Sequence, residues 1–75
     1  MNRKVALLHG PNLNMLGRRP AQHYGTVTLA QLEAQVREWG AERTLDVVTF
    51  QTNHEGAFLE HVHGLIGAVD AVVVN

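Results

Sequence analysis

Three largely apolar runs alternate with two amphipathic segments along the chain. The runs cover residues 5–8, 47–50 and 69–74, and continuous apolar stretches are typical of strands buried on both faces of a parallel sheet. Between the runs, apolar side chains recur at helical spacing over 29–43 and 54–67. The order strand–helix–strand–helix–strand predicts an α/β fold whose parallel strands are joined by right-handed crossovers.

Local signals mark both predicted helices. Thr28 and Gln31 form a Thr-x-x-Gln capping box, and Asn53 is a suitable N-cap with Glu55 in the first turn behind it. The first helix should end near Arg43 and carry an exposed i,i+4 ion pair. The members of that pair are Glu33 and Arg37. The apolar stripes expected to face the sheet are Leu29, Leu32, Val36 and Trp39, then Phe58, Val62, Leu65 and Ile66.

The predicted order of strands places two polar segments at one edge of the sheet. In a doubly wound sheet of order 2-1-3, strands one and three are neighbours at the switch point, where ligands bind. A long loop, residues 10–25, follows strand one, and Asn75 follows strand three. We therefore expect the loop and Asn75 to face each other.

Composition is consistent with one small domain over residues 1–75. The chain is 45% hydrophobic with a net charge of −1, which favours neither nucleic acid nor an anionic membrane as a partner. No apolar run approaches the roughly 18–20 residues of a membrane span, and the four apolar residues after Lys4 are too few for a signal peptide. Cysteine is absent, so we expect a cytoplasmic protein.

The loop at 10–25 concentrates the candidate chemistry. It holds the only tyrosine, Tyr24, with Arg18 and Arg19 shortly before it, and the amides of Asn12 and Asn14 upstream. Lowering a tyrosine pKa from about 10 to about 7 requires roughly 4 kcal/mol, which one cation about 4 Å away supplies at an effective dielectric constant near 20. The loop therefore suits a tyrosine base. Taken singly, the same residues are also typical of packing, surface charge and turns.

The sequence offers little support for nucleophilic catalysis or for a metal site. The chain lacks serine and cysteine, so Ser/His and Cys/His nucleophile schemes have no residues to use. His61 and His63 are two residues apart, which on a helix points them to different sides, and no HExxH motif is present. We expect no metal and no cofactor, with Glu55 and His63 as structural or interface residues.

Long motifs in the chain resemble those of one enzyme family, the type II 3-dehydroquinate dehydratases. The family's N-terminal signature is similar to Gly10-Pro11-Asn12-Leu13-Asn14-Met15-Leu16-Gly17-x-Arg19…Tyr24-Gly25. Its second motif resembles Phe50-Gln51-Thr52-Asn53-His54-Glu55-Gly56 with His63, and its third strand resembles Val72-Val73-Val74-Asn75. One departure is local: Pro20 follows Arg19 directly, whereas the family usually places another residue between them.

The resemblance implies a fold, an activity and an assembly. The fold would be flavodoxin-like, of which these residues form the first βαβαβ half. The reaction would be the dehydration of 3-dehydroquinate to 3-dehydroshikimate in the shikimate or quinate pathway, without metal or cofactor. The full-length protein would assemble as a homododecamer built from trimers.

The resemblance also implies roles for four residues. Tyr24 would be the proton acceptor, Arg19 would stabilise the transition state, Asn12 would hold the water that stabilises the enolate, and Asn75 would bind substrate. The family's histidine acid would lie beyond Asn75, so we expect the 75 residues alone to be inactive. The alternative is a catalytically incomplete half-domain that only binds a partner through its uncovered sheet edge.

Overall fold

The computed structural model describes residues 2–17 and 27–75. Three strands, two α-helices and a short 3₁₀-helix make up this part of the chain. In order they are β1 (Arg3–His9), the 3₁₀-helix (Leu13–Met15), α1 (Leu29–Glu42), β2 (Leu45–Gln51), α2 (Glu55–Gly64) and β3 (Ala71–Val74). The predicted α/β class and the order of elements are confirmed.

The three strands form one parallel sheet in the order β2-β1-β3. Val5 of β1 lies opposite Val47 of β2 on one side and Ala71 of β3 on the other. The predicted order 2-1-3 is thus confirmed, and the carboxyl ends of β1 and β3 are neighbours. The β1–β2 pairing runs from Arg3 to His9, beyond the apolar run, because backbone pairing continues through polar residues.

The buried centre of the sheet lies in the second half of β1, where Ala6, Leu7 and Leu8 are buried. Helix α1 packs closely against β2 at Gly40. A Cβ atom at Gly40 would lie only 2.8 Å from Cγ2 of Val47. Glycine in this helix, which lowers helical propensity, is therefore explained by close packing. Trp39 is 52% exposed, so the predicted apolar stripe does not extend fully to the end of α1.

The start of α1 is confirmed in detail, whereas its predicted ion pair is wrong. Thr28 Oγ1 accepts from the backbone N–H of Gln31, and Gln31 Oε1 accepts from the N–H of Thr28. Glu33 instead lies 3.2 Å from His9, and Arg37 donates to Thr49 Oγ1 at 2.8 Å. Contacts with the sheet replace the helical pair that spacing alone suggested.

Helix α2 is shorter than predicted. It ends at Gly64, and Gly67 adopts φ 77° in the turn that follows, a conformation that favours glycine. Ile66 therefore lies outside the helix and is 81% exposed, which makes its assignment to the apolar stripe wrong. Strand β3 begins at Ala71 and not at Val69, and all four of its residues are exposed.

Across the residues that the structure describes, neither helix has the length and apolar character needed to cross a membrane.

Candidate functional site

A cleft of about 530 Å³ opens at the carboxyl edge of the sheet. Gly10 and Pro11, which follow β1, line one side, and Asn75, which follows β3, lines it beside them. The remaining lining residues are Thr52, His54, Glu55, Phe58, Leu59 and Val74. A loop after one strand and the end of a neighbouring parallel strand thus meet at the switch point, as the strand order predicted.

The backbone of Asn75 is fixed to β1 and to the loop that follows it. Its N–H donates to the carbonyl of Leu8 at 2.8 Å, and its carbonyl accepts from the N–H of Gly10 at 3.2 Å. These two bonds confirm the predicted juxtaposition of Asn75 with the loop. The side chain of Asn75 makes a third contact, in which its Nδ2 lies 3.1 Å from Nδ1 of His9.

Asn12 occupies an uncommon backbone conformation. Its φ is 70° and its ψ is −2°, the left-handed region that asparagine tolerates better than most residues other than glycine. Its carbonyl accepts from the N–H of Met15 at 3.0 Å, which closes the 3₁₀-helix. The side chain of Asn12 is exposed, and it makes no cap bond to that helix.

The loop after β2 holds the loop after β1 in place. Oδ1 of Asn53 accepts from the backbone N–H of Asn12 at 2.8 Å and from Nε2 of Gln51 at 3.0 Å. The same Nε2 donates to the carbonyl of Gly10 at 3.2 Å. The predicted N-cap role of Asn53 is therefore wrong, because its side chain bonds across to the other loop and His54 occupies the N-cap position without a side-chain bond. Glu55 does lie in the first turn of α2, as predicted.

Sequence reasoning did not identify His9 as a site residue. It is the last residue of β1, its exposure is 0%, and it is the only fully buried polar residue in the described ranges 2–17 and 27–75. Nε2 lies 3.2 Å from Oε2 of Glu33, within ion-pair range, but this geometry does not satisfy a hydrogen bond. The contact between His9 and Glu33 is therefore electrostatic. A polar residue directly after the apolar run 5–8 was the one available signal.

Two of the predicted site residues lie outside the described residues. Tyr24 and Arg19 both fall within 18–26, so the geometry covers Asn12 and Asn75 alone among the four. Gly10 connects these two, since it bonds to Asn75 and is followed within two positions by Asn12. The arrangement offers amide donors and acceptors at the rim of a largely apolar cleft.

The histidines considered for a metal site have other surroundings. The ring of His61 stacks on Phe50 of β2, with centroids 3.8 Å apart and planes inclined by 5°. His63 is exposed in the last turn of α2. Within the described part of the chain, no three His, Cys, Asp or Glu side chains come together in a metal-binding group.

The sequence and the fold are both similar to those of dehydroquinases. The family model described as "Dehydroquinase class II" matches residues 3–75. A 3-dehydroquinate dehydratase of Syntrophotalea carbinolica is 50% identical over 74 residues, which are 97% of this chain and 50% of the relative. A catabolic 3-dehydroquinase of Verticillium alfalfae is 44% identical over 75 residues, which are 100% of this chain and 50% of that relative.

Solved structures give the same result. The type II dehydroquinase from Propionibacterium acnes matches with a TM-score of 0.89 and 40% identity, over 100% of this chain and 52% of that one. That from Butyrivibrio crossotus matches with a TM-score of 0.90 and 31% identity, over 99% of this chain and 52% of its own. The chain spans about half the length of the curated relatives it matches. The family match over residues 3–75, together with these relatives, shows that the chain belongs to the class II dehydroquinase family.

Proposed function

We propose that the protein is a hydro-lyase that removes water from 3-dehydroquinate to give 3-dehydroshikimate. The observation that carries the proposal is the meeting of Asn75 with the loop that bears Asn12, beside one cleft at the switch point. Relatives at 50% and 49% identity are named 3-dehydroquinate dehydratase, which supports the same reaction. The cleft of about 530 Å³ is within the usual range for small-molecule sites, about 300–1,000 Å³.

The first chemical step is removal of a proton from the carbon next to the ketone. We assign this step to the phenolate of Tyr24, with Arg19 as the cation that stabilises the phenolate and the charge of the transition state. Arginine suits this position because it keeps its own proton at any working pH. The Arg19→Ala variant should therefore raise the pKa of Tyr24, which a titration of the phenol absorbance measures.

Negative charge then builds on the ketone oxygen as the enolate forms. Neutral donors stabilise that charge without competing for the proton. We assign this role to Asn12, acting through a bound water. Its bond to Asn53 supports the assignment because the loop position of Asn12 is fixed before substrate arrives.

In the second step the enolate electrons form a carbon–carbon double bond, the ketone is restored, and hydroxide leaves. The departing oxygen takes a proton and becomes water, which requires an acid. We assign no residue among 1–75 to this acid. The family resemblance places a histidine acid further along the polypeptide, and the matched relatives are about twice as long as this chain.

The test uses the full-length natural polypeptide that carries this sequence. Purified protein is mixed with 3-dehydroquinate, and the absorbance of the conjugated enone product is followed against a mock purification from the same host. We expect turnover that depends on protein concentration. A folded, assembled protein that forms no enone would overturn the proposal.

One observation favours a second candidate function. The valines of β3 are exposed at 43%, 51% and 63%, and an exposed apolar strand edge is a surface for strand pairing. A half-domain that binds a partner through this edge, without catalysis, would explain them.

The 75-residue polypeptide alone should give no enone under the lyase proposal. Robust turnover by it would show that the acid is present within these residues.

The lack of cysteine predicts a cytoplasmic location, and the resemblance implies assembly as a homododecamer of trimers and a place in the shikimate or quinate pathway. These stay predictions. Cell fractionation tests the location, and sedimentation velocity of the full-length protein tests the assembly. A dominant monomer in sedimentation would contradict the predicted dodecamer.

A further inference from the structure

His9 is a buried titratable side chain that the proposed chemistry does not use. It has no exposed surface, lies at the end of the central strand, and is followed directly by the cleft-lining Gly10. Buried polar side chains are generally retained where their contacts are specific, because an unsatisfied polar group in an apolar interior is costly. The two contacts of His9 therefore indicate a specific role for its ring.

In the neutral ring, the two neighbours specify which nitrogen carries the proton. Nδ2 of Asn75 is a donor only, so Nδ1 of His9, 3.1 Å away, must accept. The ring proton then sits on Nε2, whose contact with Oε2 of Glu33 at 3.2 Å is electrostatic and not a hydrogen bond. Of the two neutral tautomers, this is the one in which both contacts are favourable.

The same contacts specify which way the amide of Asn75 points. If the amide were turned over, Oδ1 would face Nδ1, and the neutral ring would have to carry its proton there. The unprotonated Nε2 would then lie 3.2 Å from the carboxylate oxygen of Glu33, which is repulsive. The position of Glu33 thus selects the ring tautomer, and the ring selects the orientation of Asn75.

We propose that His9 is a positioning residue that holds the side-chain amide of Asn75 so that its carbonyl oxygen is presented to a hydroxyl group of the substrate. The inference rests on the proposed function, whose substrate is a hydroxylated cyclic acid. Because Nδ2 of Asn75 bonds to His9, Oδ1 of Asn75 lies on the side of the planar amide that faces away from the ring. Asn75 lines the cleft, so a hydroxyl group of a substrate bound there would have this oxygen as its acceptor.

Two substitutions at His9 separate positioning from simple packing. His9→Asn places an amide oxygen at the same number of bonds from the backbone as Nδ1, so the acceptor for Asn75 is kept. His9→Gln extends one carbon further, toward Glu33, and leaves the Nδ1 position without an acceptor. Both variants are neutral amides and are tested in the full-length protein.

We expect His9→Gln to raise KM for 3-dehydroquinate about tenfold or more, with a smaller change in kcat, whereas His9→Asn restores KM to within about threefold of wild type. Equal KM values for the two variants would overturn the proposal, as would a KM that neither variant changes. Circular dichroism and urea unfolding establish that each variant is folded. A wild-type protein that does not turn over the substrate would refute the proposed function instead.

A second measurement needs no substrate and covers the case in which a variant fails to fold. In ¹⁵N-labelled wild-type protein, the side-chain amide of Asn75 should show a scalar coupling across the hydrogen bond to Nδ1 of His9. A protonated Nδ1 in the native protein would contradict the proposed orientation, whatever the activity.

Discussion

Hydrogen bonds hold both ends of the β1–β3 pair. The ends differ in burial and in which polar side-chain atoms remain for other contacts. At the amino end, the N–H of Lys4 donates to Oδ2 of Asp70, and the N–H of Asp70 donates to the carbonyl of Lys4, both at 2.8 Å. At the carboxyl end, Asn75 bonds to Leu8 at 2.8 Å and to Gly10 at 3.2 Å. Each end is thus held by two hydrogen bonds to the backbone of β1 or of the residue after it.

The difference lies in the side chains. Asp70 uses a carboxylate oxygen on the backbone of Lys4 at an exposed position, beside a smaller cleft of about 350 Å³ that it lines with Val69 and Ala71. Asn75 makes both backbone bonds with its own main chain, so its side-chain amide is free to contact the buried His9 and the cleft. The amino end therefore serves to close the sheet, whereas the carboxyl end carries oriented polar atoms that a ligand can use.

The largest expected effect at the carboxyl end comes from Tyr24→Phe. Removing the base of the first step should lower kcat for 3-dehydroquinate by about 10²–10⁴ or more. Steady-state kinetics on the full-length protein measures this. If the variant stays within about tenfold of wild type, Tyr24 is not the base and the chemistry assigned to this loop fails.

A matched pair of glycine substitutions next compares the carboxyl edge of the sheet, where the strands end, with its amino edge, where they begin. Asn12 (φ 70°) lies at the carboxyl edge, and Thr44 (φ 56°) precedes β2 at the amino edge. Glycine adopts positive φ readily, so neither substitution should disturb the backbone. Asn12→Gly removes the amide and should lower kcat about 10², as loss of one charge-stabilising donor does. Thr44→Gly should leave kcat unchanged, and equal effects of the two on kcat would contradict the distinction between edges.

A smaller effect is expected for Asn53→Ala. This change removes the oxygen that accepts a hydrogen bond from the backbone N–H of Asn12, so the loop after β1 is held less firmly. We expect kcat to fall about tenfold, an effect of roughly 1.4 kcal/mol, and the amide of Asn12 to exchange hydrogen faster. Asn53→Asp keeps an acceptor oxygen and should restore slow exchange. Slow exchange in the alanine variant would show that Asn53 does not hold the loop.

The smallest effect is expected at the amino edge, for Asp46→Ala. Nδ2 of Asn2 donates to Oδ1 of Asp46 at 3.0 Å, but both residues are exposed. An exposed hydrogen bond of this kind contributes about 1 kcal/mol or less to the free energy of unfolding. Urea unfolding measures that change, and kcat should stay at the wild-type value. A marked loss of activity would place function at the amino edge as well.

The features that the sequence predicted correctly depend on local spacing or on topology. The capping box of Thr28 and Gln31 is local, and the juxtaposition of Asn75 with Gly10 follows from the strand order 2-1-3. The features that it missed depend on long-range contacts. The sequence predicts Asn53 as a helix cap, but in the fold its side chain bonds to the loop after β1. The sequence likewise pairs Glu33 with Arg37, but in the fold Glu33 lies beside His9.

The most direct test of the account compares Asn75→Ala with Asp70→Ala in the full-length protein, by kcat/KM for 3-dehydroquinate and by urea unfolding. We predict that Asn75→Ala lowers kcat/KM about tenfold or more, since a substrate hydrogen bond is lost. Asp70→Ala should lower the free energy of unfolding by about 1 kcal/mol and leave kcat/KM within about twofold. Equal losses of kcat/KM in the two variants would contradict the claim that the carboxyl end of the β1–β3 pair is the functional one.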